Sequence, residues 1–147
     1  MLKLTKIFHF EMAHAIHGHT GNCKNIHGHS YELHVTVSTG LYEPGFIPAP
    51  GFIMDFKEIK NLVREAVIEK FDHSLLLSRC FMTANPSLVS LQNLVIFEEE
   101  PTAENMLLYI KQALQQTFND KIKLVRLLLF ETKDSYAEWT AGQLCEL

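Results

Sequence analysis

The sequence predicts an α+β domain, an antiparallel β-sheet with two helices on one face. Three patterns carry that expectation. Apolar and polar residues alternate over residues 2–14 and again over 27–38, the period of half-buried strands. Two later segments, 55–71 and 102–118, repeat their apolar residues at helical spacing. Residues 122–130 crowd leucine and β-branched side chains into a short run, as strands do. The resulting order β-β-α-α-β-β suits helices segregated to one face of a sheet.

In the first strand Leu2, Leu4, Phe8, Phe10 and Met12 alternate with Lys3, Thr5, His9 and Glu11, and His14 keeps the apolar parity. Residues 17–25 contain Gly18, Gly21 and Asn22 and read as a loop. In the second strand Tyr31, Leu33, Val35 and Val37 share one face, with Glu32, His34, Thr36 and Ser38 on the other. His27 and His29 have the apolar parity, so they project to one side. Gly40, Pro44, Gly45, Pro48, Pro50 and Gly51 mark a broad connection. Asp55, with Glu58 three residues on, predicts a helix start, and Phe56, Ile59, Leu62, Val63, Ala66, Val67 and Phe71 continue its apolar stripe. Residues 74–93 have no dominant period, and Asn85–Pro86 predicts a loop over 83–87. Leu94–Phe97 reads as a short strand before the acidic run Glu98–Glu100. Thr102 caps a second helix that buries Met106, Ile110, Leu114 and Phe118. Ile122–Phe130 is a strand, Asp134–Ser135 a turn, and Tyr136–Ala141 the returning strand. So few strands leave sheet edges exposed, and closure against neighbouring copies is expected.

Composition narrows the function. The chain has 147 residues, 47% hydrophobic and 20% charged, which describes one globular domain over 1–147. Its net charge of −4 argues against a nucleic-acid or anionic-membrane surface. No apolar run approaches a membrane span and no signal-peptide pattern opens the chain. Cys23, Cys80 and Cys145 are odd in number and irregularly spaced, so a disulfide framework is not expected and a reducing cytoplasm is. Histidine is the informative residue. Seven of the eight lie between His9 and His34, where an even spread would put about 1.4.

Three groups of residues can carry chemistry. His14, His27 and His29 share facing parity on two strands, and three imidazoles with a fourth position left open are a catalytic zinc pattern; a hydrogen-bonded polar patch is the plainer alternative. Cys23, in a Gly/Asn-rich loop four residues before His27, is a reactive thiol or a fourth zinc ligand that would close the site. Asp72–His73 offers a carboxylate and an imidazole for proton transfer, or simply a favourable histidine in a last helical turn. Glu104 sits in a first helical turn, where a carboxylate is favoured in any case. Glu131 ends an apolar strand with the parity of Val125, Leu127 and Leu129, as a solvent residue or as a buried anchor for a guanidine-like edge. His9, His17, His19 and His34 read as loop or opposite-face residues, with His17 or His19 as a substitute ligand.

Five motifs in series give a resemblance: F-x-x-x-H at Phe10–His14, C-x3-H-G-H at Cys23–His29, D-H at Asp72–His73, P-T-x-E-N at Pro101–Asn105 and E-T at Glu131–Thr132. Together the chain resembles the 6-pyruvoyl-tetrahydropterin synthase family, most of all its carboxy-producing branch in queuosine biosynthesis. The matches run in order from residue 8 to about 140. The resemblance implies the tunnelling fold, in which three sheets close into a barrel and two trimers stack into a homohexamer. It implies a zinc ion (Zn2+) on His14, His27 and His29, Cys23 as general base, and Asp72 and His73 as proton carriers. Glu131 would anchor the pterin ring, Thr102 and Glu104 would line the pocket, and the site would lie between subunits. The implied reaction converts 7,8-dihydroneopterin triphosphate to 6-carboxy-5,6,7,8-tetrahydropterin, releasing acetaldehyde and triphosphate. The interval of Lys24, Asn25 and Ile26 between Cys23 and His27 resembles the carboxy-producing members; the pyruvoyl-producing type has a longer one. The alternatives are that pyruvoyl-producing elimination, or a non-catalytic zinc- or pterin-binding module. Lys24, Arg79 and Lys133 are candidates to hold the triphosphate, since no dense basic motif appears. The stretch Ser78–Phe97 is longer than in compact members and has no assigned role.

Overall fold

The computed structural model describes residues 1–39 and 45–142; Gly40, Pro44 and Cys145 lie outside them. The strands are β1 (Leu4–His14), β2 (His27–Ser38), β3 (Ser74–Ser78), β4 (Leu94–Phe97), β5 (Lys123–Thr132) and β6 (Ser135–Thr140). The helices are α1 (Phe56–Val63), α2 (Glu69–Phe71), α3 (Arg79–Ala84) and α4 (Ala103–Thr117). A π-helical turn at Arg64–Ile68 joins α1 to α2, so the single helix expected over 55–71 is one continuous run with a widened turn.

The six strands form one sheet in the order β4-β3-β1-β2-β5-β6. The four long strands pair antiparallel, as the alternation predicts. The sheet as a whole is mixed, because β3 joins β1 in parallel and β4 joins β3 in parallel. The cause lies in the helical run. It starts near the Leu4 end of β1 and covers about 24 Å at the α-helical rise, delivering the chain to the His14 end, where β3 continues in the direction of β1. The interval 74–93 thereby resolves into strand, α3 and a 3-10 turn at Pro86–Ser90.

One face of the sheet is buried under the helices. Phe8, Phe10, Met12, Tyr31, Leu33, Val35, Leu127 and Leu129 meet Ile59, Val63, Val67, Phe71, Met106, Ile110 and Leu114 there. Both helix starts follow their caps: the Asp55 carboxylate accepts from Lys57 N at 2.7 Å, and Thr102 Oγ1 accepts from Asn105 N at 3.3 Å. A smaller cluster of Ala15, Leu75 and Leu77, packed against Phe81, Met82, Leu88 and Leu94, seats the 78–97 stretch on the sheet's end. No helix among the described residues is long and apolar enough to cross a membrane.

Candidate metal centre and cavity

Strand register builds the centre. His14 is the direct antiparallel partner of His27, and Met12 that of His29, so His27 stands opposite His14 and His29 diagonally across from it, all on the helix-facing side. Their ring centroids are 4.7 Å (His14–His27), 5.3 Å (His14–His29) and 4.9 Å (His27–His29) apart. One ligand atom from each lies within 4.8 Å of the other two.

Backbone carbonyls preset two of the rings. His14 Nδ1 donates to Pro101 O at 2.8 Å and His27 Nδ1 to Asn25 O at 2.7 Å. A carbonyl only accepts, so each Nδ1 carries its proton and each Nε2 keeps a free lone pair, the arrangement of metal-binding histidines. Burial lowers the His14 pKa below its ordinary value against the opposing pull of Pro101 and Glu131, which keeps the ring neutral. Convergent imidazole nitrogens, two of them with preset tautomers, fit a zinc-type ion.

Glu131 stands beside the triad, its Oε1 3.3 Å from His14 Nε2 and 3.7 Å from His29 Nε2. Its placement comes from a bulge, since the β5–β6 register passes from Phe130↔Tyr136 to Thr132↔Ser135 and skips Glu131. The fully buried Tyr31 donates to the same oxygen at 3.3 Å. Burial, with the carboxylate second, raises the Tyr31 pKa far above the ordinary phenol value.

A cavity of about 440 Å³ opens over these residues, lined by His14, Cys23, Thr102, Glu104 and Glu131 among others. That volume suits a small heterocycle with a short side chain. Cys23 is exposed, in a 3-10 turn at Asn22–Lys24 that is tied back by Ile16 N donating to Cys23 O at 2.8 Å. It is not in the metal-competent group, which among the described residues comprises the three histidines. Residues that the sequence did not single out for the cavity include Ile16, Tyr136 and Glu138; His19, read there as a loop residue or substitute ligand, also lines it. Tyr31 could have been found, since it continues the parity of His27 and His29.

The structure places Asp72–His73 elsewhere. His73 lines a second cavity with Glu11, His29 and Asn93, whereas Cys23 lines the first. Asp72 Oδ1 accepts from Glu11 N at 2.9 Å and lies 3.0 Å from His73 Nδ1. The Glu11 amide lowers the Asp72 pKa, with His73 adding to it. His73 has φ of 60°, a left-handed conformation costly for a residue with a side chain, and is held by its N–H on Glu11 O at 2.6 Å and by Asn93 Nδ2 on its carbonyl at 3.1 Å. Of the suggested phosphate partners, Arg79 is committed to Glu98 through two bonds of 2.7 Å, and Lys24 lines a separate cavity beside Phe81. No lysine or arginine lines the first cavity among the described residues.

Fold and site define a class of protein: a mixed-sheet α+β domain with a metal-competent histidine triad, one member of which lines a ligand-sized cavity. The chain belongs to the 6-pyruvoyl tetrahydropterin synthase family, whose profile matches residues 3–141. It is 31% identical over 145 residues to a 6-carboxy-5,6,7,8-tetrahydropterin synthase of Haemophilus influenzae, covering 95% of this chain and 99% of that one. A protein of the same description from Rickettsia bellii is 31% identical over 142 residues, covering 94% and 99%. The fold matches a solved 6-pyruvoyl tetrahydropterin synthase of Caenorhabditis elegans, with a TM-score of 0.67 at 18% identity over 96% of each chain.

Proposed function

We propose that this protein is a zinc-dependent lyase that converts 7,8-dihydroneopterin triphosphate to 6-carboxy-5,6,7,8-tetrahydropterin, with uptake of water and release of acetaldehyde and triphosphate. The observation that carries the reading is the convergence of His14, His27 and His29 on one point, with His14 also lining a cavity that holds Cys23 and Glu131. The full-length similarity to proteins named for that product supports the choice of reaction.

In this reading the three imidazoles hold the ion. When bound, it supplies Lewis-acid polarisation of the side-chain oxygens and acidifies the adjoining C–H and O–H bonds. Glu131 accepts the ring N–H and exocyclic amine in a two-point fit, which fixes which side-chain carbon faces Cys23. Thr102 and Glu104, at the start of α4, line the wall beside it. Cys23, exposed and outside the histidine group, acts as the base that removes a side-chain proton. His73, oriented by Asp72, delivers and receives protons on the opposite side of the substrate.

Cys23 and His73 line separate cavities of one chain, so the complete site takes Asp72–His73 from a second protomer, within a homohexamer of two stacked trimers. A neighbour also accounts for triphosphate binding, because the first cavity lacks its own lysine or arginine among the described residues. The test is product analysis with purified zinc-loaded protein and 7,8-dihydroneopterin triphosphate. Acetaldehyde with a 6-carboxy product is expected; a product keeping all three side-chain carbons would instead assign the pyruvoyl-producing elimination.

A further inference from the structure

We propose that Tyr31 is a positioning residue that holds the Glu131 carboxylate against the histidine triad, so that one carboxylate supports metal binding and pterin binding together. The proposal rests on the reading that the triad holds a metal ion.

Packing fixes the Tyr31 hydroxyl. The residue is fully buried, and its ring stacks on Phe10, its cross-strand partner, at 5.1 Å and 9°. The hydroxyl lies 3.3 Å from Glu131 Oε1 and 3.5 Å from both ring nitrogens of His14. His14 Nδ1 already donates to Pro101 O, and a hydroxyl equidistant from two ring nitrogens is directed at neither. The phenol proton therefore goes to Glu131. The phenolic O–H is the donor of this pair, and the carboxylate oxygen accepts.

The consequence is a division of labour between the two carboxylate oxygens. Oε1 is shared by Tyr31 and the Nε2 side of His14 and His29, placing negative charge where it favours a cation on those nitrogens. The remaining lone pair of Oε1, with Oε2, would then accept the two pterin donors of the proposed two-point fit. Without the Tyr31 hydroxyl the bulged Glu131 loses a buried neutral donor, and its charge is free to swing away from the triad toward solvent.

The test uses zinc alone. Zinc affinity of the full chain, first stripped of metal, is measured by competition with a chromophoric chelator for the unaltered protein, Tyr31→Phe, Glu131→Gln and the double variant. Phe keeps the ring that stacks on Phe10 and removes only the hydroxyl. Each single change is expected to weaken zinc about tenfold, at the low end for partners that orient metal ligands. The double variant should be no weaker than Glu131→Gln alone, because Tyr31 acts through Glu131. A Tyr31→Phe effect of equal size in both backgrounds, or none at all, overturns the proposal. Unchanged affinity in Glu131→Gln overturns it independently of how well the tyrosine variant folds. Failure of the unaltered protein to take up zinc overturns the reading of the triad itself, and the proposal with it.

Discussion

Replacing His14 with Ala should act twice, on the metal-free fold and on the metal. The His14 side chain is 3% exposed and its Nδ1 is the hydrogen-bond partner of the Pro101 carbonyl at the corner before α4. Deleting it leaves that buried acceptor without its donor, a loss of about 1–3 kcal/mol. For a chain of this size the loss lowers the melting temperature by roughly 3–10 °C. The second effect appears on adding zinc. An ion at a hundredfold excess over its dissociation constant stabilises a folded protein by about 2.7 kcal/mol, and with two imidazoles left the variant should show little of that gain. The assay is thermal unfolding by circular dichroism with and without zinc, alongside metal content by elemental analysis. A His14→Ala protein that melts with the unaltered protein in both conditions, or carries its full zinc, would refute the assignment of His14 to both tasks.

Cys23→Ala should retain zinc and lose most turnover; loss of metal together with activity would make the thiol a ligand of a closed structural site. Protons compete with metal for imidazole, and burial holds His14 neutral to below the ordinary 6.5, so zinc uptake should be full at pH 7 and fall on acidification through and below that value; pH-independent uptake would count against histidine ligation. Asp72 has a lowered pKa, so it contributes stability above the ordinary 3.8 that is lost as pH falls through its folded value. Because Asp72 is largely exposed that contribution is small, and Asp72→Asn should flatten only the acid limb of the stability curve; an unchanged limb would contradict the Glu11 contact. Mixing Cys23→Ala with His73→Ala subunits should restore about a quarter of full activity if each site draws one residue from each neighbour at random, and no recovery would place both residues in one subunit's site.

The site was legible where one strand period carries it. The parity of His14, His27 and His29 is a property of β1 and β2 alone, and once those strands pair, His14 meets His27 directly. The helices were legible for the same reason, since Asp55 and Thr102 cap the segments whose apolar stripes they precede. What depends on long-range pairing was not. Ser74–Ser78 is a short apolar run that fits strand or helix equally, and only its parallel pairing with β1 selects the strand. The left-handed turn at His73 has no sequence signal, because it is imposed by Glu11 from another element and by Asn93. Glu131 shows its parity in the sequence, but its seat beside Tyr31 follows from a bulge that local pattern does not record. The separation of Cys23 from His73 is likewise tertiary.

The most direct test of the central claim is the identity of the two carbons released. Purified protein loaded with zinc and given 7,8-dihydroneopterin triphosphate without any reductant should form acetaldehyde, trapped and quantified as its hydrazone, in equal amount to triphosphate and to a pterin bearing a 6-carboxylate. Triphosphate released without acetaldehyde, leaving a three-carbon side chain on the pterin, would contradict the proposed cleavage; no turnover by fully zinc-loaded protein would contradict catalysis altogether.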